Sequence, residues 1–105
     1  MNTIDTVAVA SRSFSKNDDL VKNLQSKYSS VIFNDFGKTL QGDELVDFLM
    51  PATKAIIGIE DLSEPILAKL TKLKVISKYG VGLNNLDLKL LIKRYIRLVF
   101  PRGVN

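Results

Sequence analysis

An α/β fold built on one parallel sheet is predicted for this sequence by three features. Short runs rich in β-branched residues alternate five times with stretches whose apolar residues recur at helical spacing. No hairpin signal joins any neighbouring pair of those runs, so the strands are expected to be linked by crossovers. The chain of 105 residues, 46% hydrophobic and 25% charged, is long enough for a single domain with one modest core.

The first strand is expected over Thr6–Ala10. The polar stretch Ser11–Asn17 leads into a helix with Asp18 and Asp19 in its favourable first turn, and Leu20, Leu24 and Tyr28 form a buried stripe at i, i+4 and i+8. Ser30–Phe33 is the second strand. Gly42, Asp43 and Glu44 then open a helix whose Leu45, Phe48 and Leu49 share a face, and Pro51 helps to stop it. Ala55–Ile59 is continuously apolar, as a strand covered on both faces should be. Ser63 caps the next helix with Pro65 in its first turn, and Ile66, Leu67, Leu70 and Leu73 face inward. Lys74–Ser77 and Ile96–Phe100 are the fourth and fifth strands, separated by a helix over Asp87–Arg94. Right-handed crossovers leave few topologies, and the expectation is a flavodoxin-like doubly wound sheet in the order 2-1-3-4-5. Linkers, repeats and low-complexity tracts are absent.

Composition excludes several kinds of chemistry. There is no cysteine and no histidine, which removes disulfides, thiolate nucleophiles and the commonest general base and metal ligand. No apolar run approaches the roughly 20 residues that span a bilayer, and no signal segment follows Met1, so a cytoplasmic location is expected with no membrane partner. The net charge of +4 is uneven: residues 1–68 carry six bases against ten acids, and residues 69–105 carry nine bases against Asp87 alone. Such a basic C-terminal third could attract an anionic metabolite or nucleic acid. Scattered lysines at helical spacing more often form a solvated face, and no aromatic platform accompanies them, so nucleic-acid binding is not expected.

In open sheets of this type ligands sit beyond the carboxyl ends of the strands. The most informative loop there lies within Lys74-Val-Ile-Ser-Lys-Tyr-Gly-Val-Gly-Leu-Asn-Asn-Leu-Asp-Leu88. It reads as a strand, a glycine turn and a capped helix start. Gly80 and Gly82 let the backbone approach a ligand, and Asn84, Asn85 and Asp87 are capping residues. Two readings stand: an anion site, or a tight βα turn that binds nothing. Ser11-Arg-Ser-Phe-Ser15 is hydroxyl-rich like a flavin phosphate loop but lacks glycine. A phosphoacceptor site would need paired acids after the first strand and a lone Asp ending the third, and neither is present.

The same segment resembles the glycine loop of the D-isomer-specific 2-hydroxyacid dehydrogenases, most closely the branch similar to phosphoglycerate dehydrogenase. Ser11–Phe14, Asn34 and Gly37, Ile56–Glu60 and the final Gly103-Val-Asn105 extend the likeness over essentially the whole chain. The resemblance implies that backbone amides of Tyr79, Gly80, Val81 and Gly82 hold a substrate carboxylate, with Lys78 adding positive charge. It also implies that Asn105 approaches substrate and nicotinamide. The family's dinucleotide fingerprint and its catalytic His, Glu and Arg have no counterpart in the sequence. The chain is therefore read as a truncated substrate-binding domain: no catalytic, cofactor-binding or metal residues, NAD implied only for the full-length family, and weak binding of a small 2-hydroxy or 2-oxo acid. Glu60 and Asp61 stand where relatives place an Arg and a small polar residue, which disfavours a phosphate ester. Leu90, Leu91, Ile92 and Tyr95 replace small residues and a helix-ending glycine, so Tyr95 should alter that turn at a cost of about 1 kcal/mol. Pro101-Arg102 also departs from the family. These departures suit an alternative, a vestigial flavodoxin-like binding or assembly module. The crowded apolar residues of the last helix predict a homodimer through Leu90 or the fifth-strand edge.

Overall fold

A computed structural model describes residues 5–79 and 86–99 of the chain. Strand β1 spans Thr6–Val9, and its alternating side chains face two different layers. Val7 and Val9 enter one apolar cluster with Phe14, Ile56, Leu20 and Leu24, while Ala8 and Ala10 enter the other. The remaining strands are β2 (Ser30–Phe33), β3 (Lys54–Ile57), β4 (Val75–Lys78) and β5 (Arg97–Val99). All pairings are parallel, in the expected order β2-β1-β3-β4-β5. Boundaries differ from expectation by one or two residues: β3 and β1 end earlier, and β4 runs on to Lys78.

Helices α3 (Gly42–Leu49), α4 (Glu64–Lys69) and α5 (Leu88–Lys93) cover one face. Leu45, Leu49, Leu67 and Leu91 from these helices pack with Ala55, Ile57 and Ile76 of the sheet. Helices α1 (Arg12–Ser15) and α2 (Asp18–Lys27) cover the opposite face. On that face the cover thins toward β5, where Arg97 and Val99 are exposed.

The short helix α1 is not expected from periodicity, because four residues are too few to show any. Ser11 creates it: its Oγ accepts from the Phe14 N–H at 3.2 Å, and buried Phe14 anchors the turn. Asn17 then caps α2 by accepting from the Leu20 N–H at 3.1 Å. Beyond β2, Asn34 shapes the next loop. Its Nδ2 donates to the carbonyls of Ala10 (3.1 Å) and Lys38 (2.9 Å), and its Oδ1 accepts from the Phe36 N–H at 3.0 Å. Gly37 completes that turn with φ +73°, a conformation that glycine adopts without a Cβ clash.

Two expectations for the last helix are corrected. Leu90 does not point away: it packs against the core beside buried Leu91, and the outward stripe is Leu88, Ile92 and Tyr95, with Ile92 75% exposed. Asp87 sets this phase by accepting from the N–H groups of Lys89 and Leu90, which starts the helix at Leu88. Contrary to expectation, Tyr95 does not alter the left-handed turn either. It occupies that turn at φ +58°, its N–H donating to Ile92 O and the Ile96 N–H donating to Leu91 O, the two bonds of a Schellman motif. Burial of both Leu91 and Ile96 in one cluster holds the motif closed, so the strain falls on Tyr95 rather than on the turn.

At the amino edge of the sheet, Lys54 Nζ donates to the Tyr28 hydroxyl at 2.9 Å, lies 4.7 Å from the ring centroid and pairs with Asp5 at 3.5 Å. The Tyr28 hydrogen bond, helped by Asp5, holds the Lys54 ammonium above its ordinary pKa against the opposing effect of burial.

Candidate functional site at the carboxyl edge

The carboxyl ends of β1, β3 and β4 meet where Gly58 permits close approach. A Cβ on Gly58 would lie 3.1 Å from Ser11 Oγ and 3.3 Å from Ser11 Cβ, so any other residue would require the cap of α1 to give way by a few tenths of an ångström. Both backbone polar groups of Gly58 are bound by side chains. Its N–H donates to Glu60 Oε1 at 2.7 Å, and its carbonyl accepts from Lys78 Nζ. Glu60 and Lys78 are 1% and 3% exposed, so this is a buried acid and base bridged by one glycine.

That arrangement alters the roles expected of Lys78 and Tyr79. Lys78 sends its ammonium inward to the β3 end, where its charge steadies the edge of the sheet. The Tyr79 N–H donates to Ile57 O at 2.8 Å, extending the ladder, so this amide is already occupied. What Tyr79 offers is its ring, set edge-on to Phe14 with centroids 5.3 Å apart. Gly80, Val81, Gly82 and Asn105 lie outside the described residues. The two ends of the glycine segment are nevertheless anchored: Tyr79 is bonded to β3, and Leu86 forms a parallel bridge with Leu62, both leucines being buried. Asp87 follows at once as a side-chain cap of α5.

Two hollows open on this edge. One, of about 450 Å³, lies between α1 and β3 and is bordered by Arg12, Ser13, Lys16, Thr39, Ile59 and Tyr79 as well as Glu60. The other is bordered by Asp61, Glu64 and Asp87 against Lys89 alone, an acidic balance unsuited to an anion. Adjacent Glu60 and Asp61 thus serve different hollows, a division that sequence adjacency concealed. Arg12 and Lys16 were not singled out from the sequence, where the Ser11–Ser15 segment was weighed for its hydroxyls alone. Their i, i+4 spacing was the available signal.

A dinucleotide site does not fit the first βα turn. There the N–H of Phe14 is consumed by Ser11, and residues 11–15 contain no glycine to admit a pyrophosphate. Among the described residues no cluster of acids suits a metal ion, and no helix is long and apolar enough to cross a membrane.

Comparison with known proteins agrees with this geometry. Residues 7–105 match the family described as D-isomer specific 2-hydroxyacid dehydrogenase, catalytic domain. Search of the curated proteins returned no match. Solved structures with the same fold include a pyruvate reductase of Chlamydomonas reinhardtii, with TM-score 0.74, 16% identity, and coverage of 94% of this chain and 29% of that one. D-lactate dehydrogenase from Escherichia coli aligns with TM-score 0.73 and 18% identity over 97% of this chain and 32% of its own. NAD+-bound 3-phosphoglycerate dehydrogenase of Entamoeba histolytica aligns with TM-score 0.76 and 17% identity over 93% of this chain and 33% of its own. The chain therefore spans about a third of the length of these relatives. With a five-stranded parallel sheet in the order 2-1-3-4-5 and a family match over nearly its whole length, the chain belongs to the D-isomer specific 2-hydroxyacid dehydrogenase family, of whose catalytic domain it represents a part.

Proposed function

We propose that this chain forms the substrate-binding part of an NAD-dependent oxidoreductase acting on D-2-hydroxy acids, in the branch near phosphoglycerate dehydrogenase. The observation that carries the reading is the pinning of both ends of residues 80–85, by the Tyr79–Ile57 bond on one side and the Leu62–Leu86 bridge on the other. Amides of Gly80, Val81 and Gly82 are then the groups to hold a substrate carboxylate, with the Tyr79 ring as a wall. Lys78 acts indirectly, by fixing Gly58 and with it the neighbouring strand ends.

Hydride transfer is not expected of this chain alone. The proton that accompanies it needs an acid–base group tuned near neutrality, and the sequence contains no histidine. NAD would be held by residues of a dinucleotide-binding fold, whose Gly-x-Gly-x-x-Gly fingerprint this sequence lacks.

The test is a titration of the ¹⁵N-labelled chain with a small 2-oxo acid, followed by amide chemical shifts. Residues 80–82 should move with a dissociation constant in the millimolar range, equivalent to ~4 kcal/mol. No movement of these amides at about 50 mM ligand, well above that range, would refute the assignment.

A further inference from the structure

We infer that α5 is a docking face for a second copy of this chain: two copies pack their Leu88–Ile92–Tyr95 stripes antiparallel across a two-fold axis. The stripe runs from the carboxyl edge, where Asp87 caps α5, to the amino edge, where Ile96 leads into β5. It therefore leads away from the substrate site, and the inference does not rest on the function proposed above.

Tyr95 carries the argument. It is held at φ +58°, where glycine would sit without strain, yet its side chain is 93% exposed and forms no ring contact among the described residues. Strain kept for a side chain that the chain itself does not use points to a use outside the chain. Ile92 and Leu88 continue the same exposed stripe at helical spacing. Together the three offer apolar surface on the order of a few hundred Å², the size that marks an interaction site on a soluble protein.

Charge chooses the occupant and its direction. The start of α5 is acidic, with Asp61, Glu64 and Asp87 against Lys89 alone. Its end is basic: Lys93 and Arg94 close the helix, and residues 88–99 contain no acid. Lys74, whose carbonyl accepts from the Arg97 N–H, adds a further exposed base at the amino edge, while Arg97 itself borders a groove on the opposite face of the sheet. None of these charged groups forms an ion pair among the described residues. An antiparallel copy sets the basic end of each helix beside the acidic start of the other, with Tyr95 over Leu88 and Ile92 next to the axis. A parallel copy would set Lys93 and Arg94 against themselves. The chain thus supplies its own complement and closes as a two-fold dimer. The stripe falls short of the ~800 Å² per partner of a standard interface, so the dimer should dissociate on dilution.

Light scattering between about 2 and 100 µM should show a reversible dimer that predominates at the upper end. Ile92→Lys, at an exposed position, should leave the circular dichroism spectrum unchanged and the chain monomeric. Tyr95→Gly should move two readouts in opposite directions: stability rises in dilute, monomeric protein, and association weakens. Glu64→Lys and Lys93→Glu should each weaken association about tenfold, because the two-fold axis makes every change act twice, and the double variant should recover most of the loss. A monomer at about 100 µM, a dimer indifferent to Ile92→Lys, or a double variant that associates no better than either single one would overturn the proposal.

Discussion

Replacing Tyr95 by glycine should stabilise this protein, although it deletes the largest side chain of the last turn. Tyr95 is held at φ +58°, where an L-residue is disfavoured by about 1–2 kcal/mol because its Cβ crowds the following carbonyl. Glycine removes that strain but brings a larger unfolded-state entropy, which costs about 0.5–1 kcal/mol. The ring contributes little to offset this, since Tyr95 is 93% exposed. The difference leaves a gain of about 0.5–1 kcal/mol, or about 2–5 °C in Tm for a chain of this length. Urea denaturation followed by circular dichroism, with a parallel thermal scan, would measure it. Tyr95→Val supplies the opposite arm: a β-branched residue at positive φ should lower stability. Loss of stability in Tyr95→Gly, or a gain in Tyr95→Val, would refute the argument that backbone strain dominates at this position.

Three further outcomes are expected. Gly58→Ala should cost about 1–3 kcal/mol, because the new methyl lies 3.1 Å from a Ser11 hydroxyl already committed to the Phe14 N–H, and denaturant midpoints would record it. Lys54 has a raised pKa, so its contribution to stability is complete below the ordinary lysine range and is lost as the pH climbs through the folded value. The denaturation midpoint should therefore fall in strongly alkaline buffer, and Lys54→Met should flatten that fall. If the chain self-associates through its last helix, the contact is the Leu88–Ile92–Tyr95 stripe. Light scattering should then report a dimer at about 100 µM, far above a ~1 µM dissociation constant, that Ile92→Lys dissociates and Leu90→Lys does not without unfolding.

The sheet and its strand order were legible in the sequence because both follow from patterns that short-range physics writes into a chain. Val7 and Val9 alternate with Ala8 and Ala10 since a buried parallel strand must satisfy two layers. Right-handed crossovers then order five such strands with little freedom. The capping role of Asp87 was equally local, its side chain reaching only two or three residues along. By contrast, the phase of α5 was misread. Leu88, Ile92 and Tyr95 share helical spacing just as a buried stripe would, and only the docking of Leu90 and Leu91 onto the sheet shows which side faces inward. The candidate site was legible only in part. Gly80–Gly82 read as a glycine turn in the sequence, but the bond of the Tyr79 amide to Ile57 and the burial of Lys78 against Gly58 arise between segments 22 and 20 residues apart. The sequence by itself determined the class of fold and the order of its strands, and it gave grounds to expect a glycine turn at the carboxyl edge. Tertiary structure decided that Glu60 and Asp61 serve different hollows and that Arg12 and Lys16 share one of them. Such juxtapositions depend on crossovers that bring distant segments to one edge, and no periodicity within a segment encodes its neighbours across the sheet.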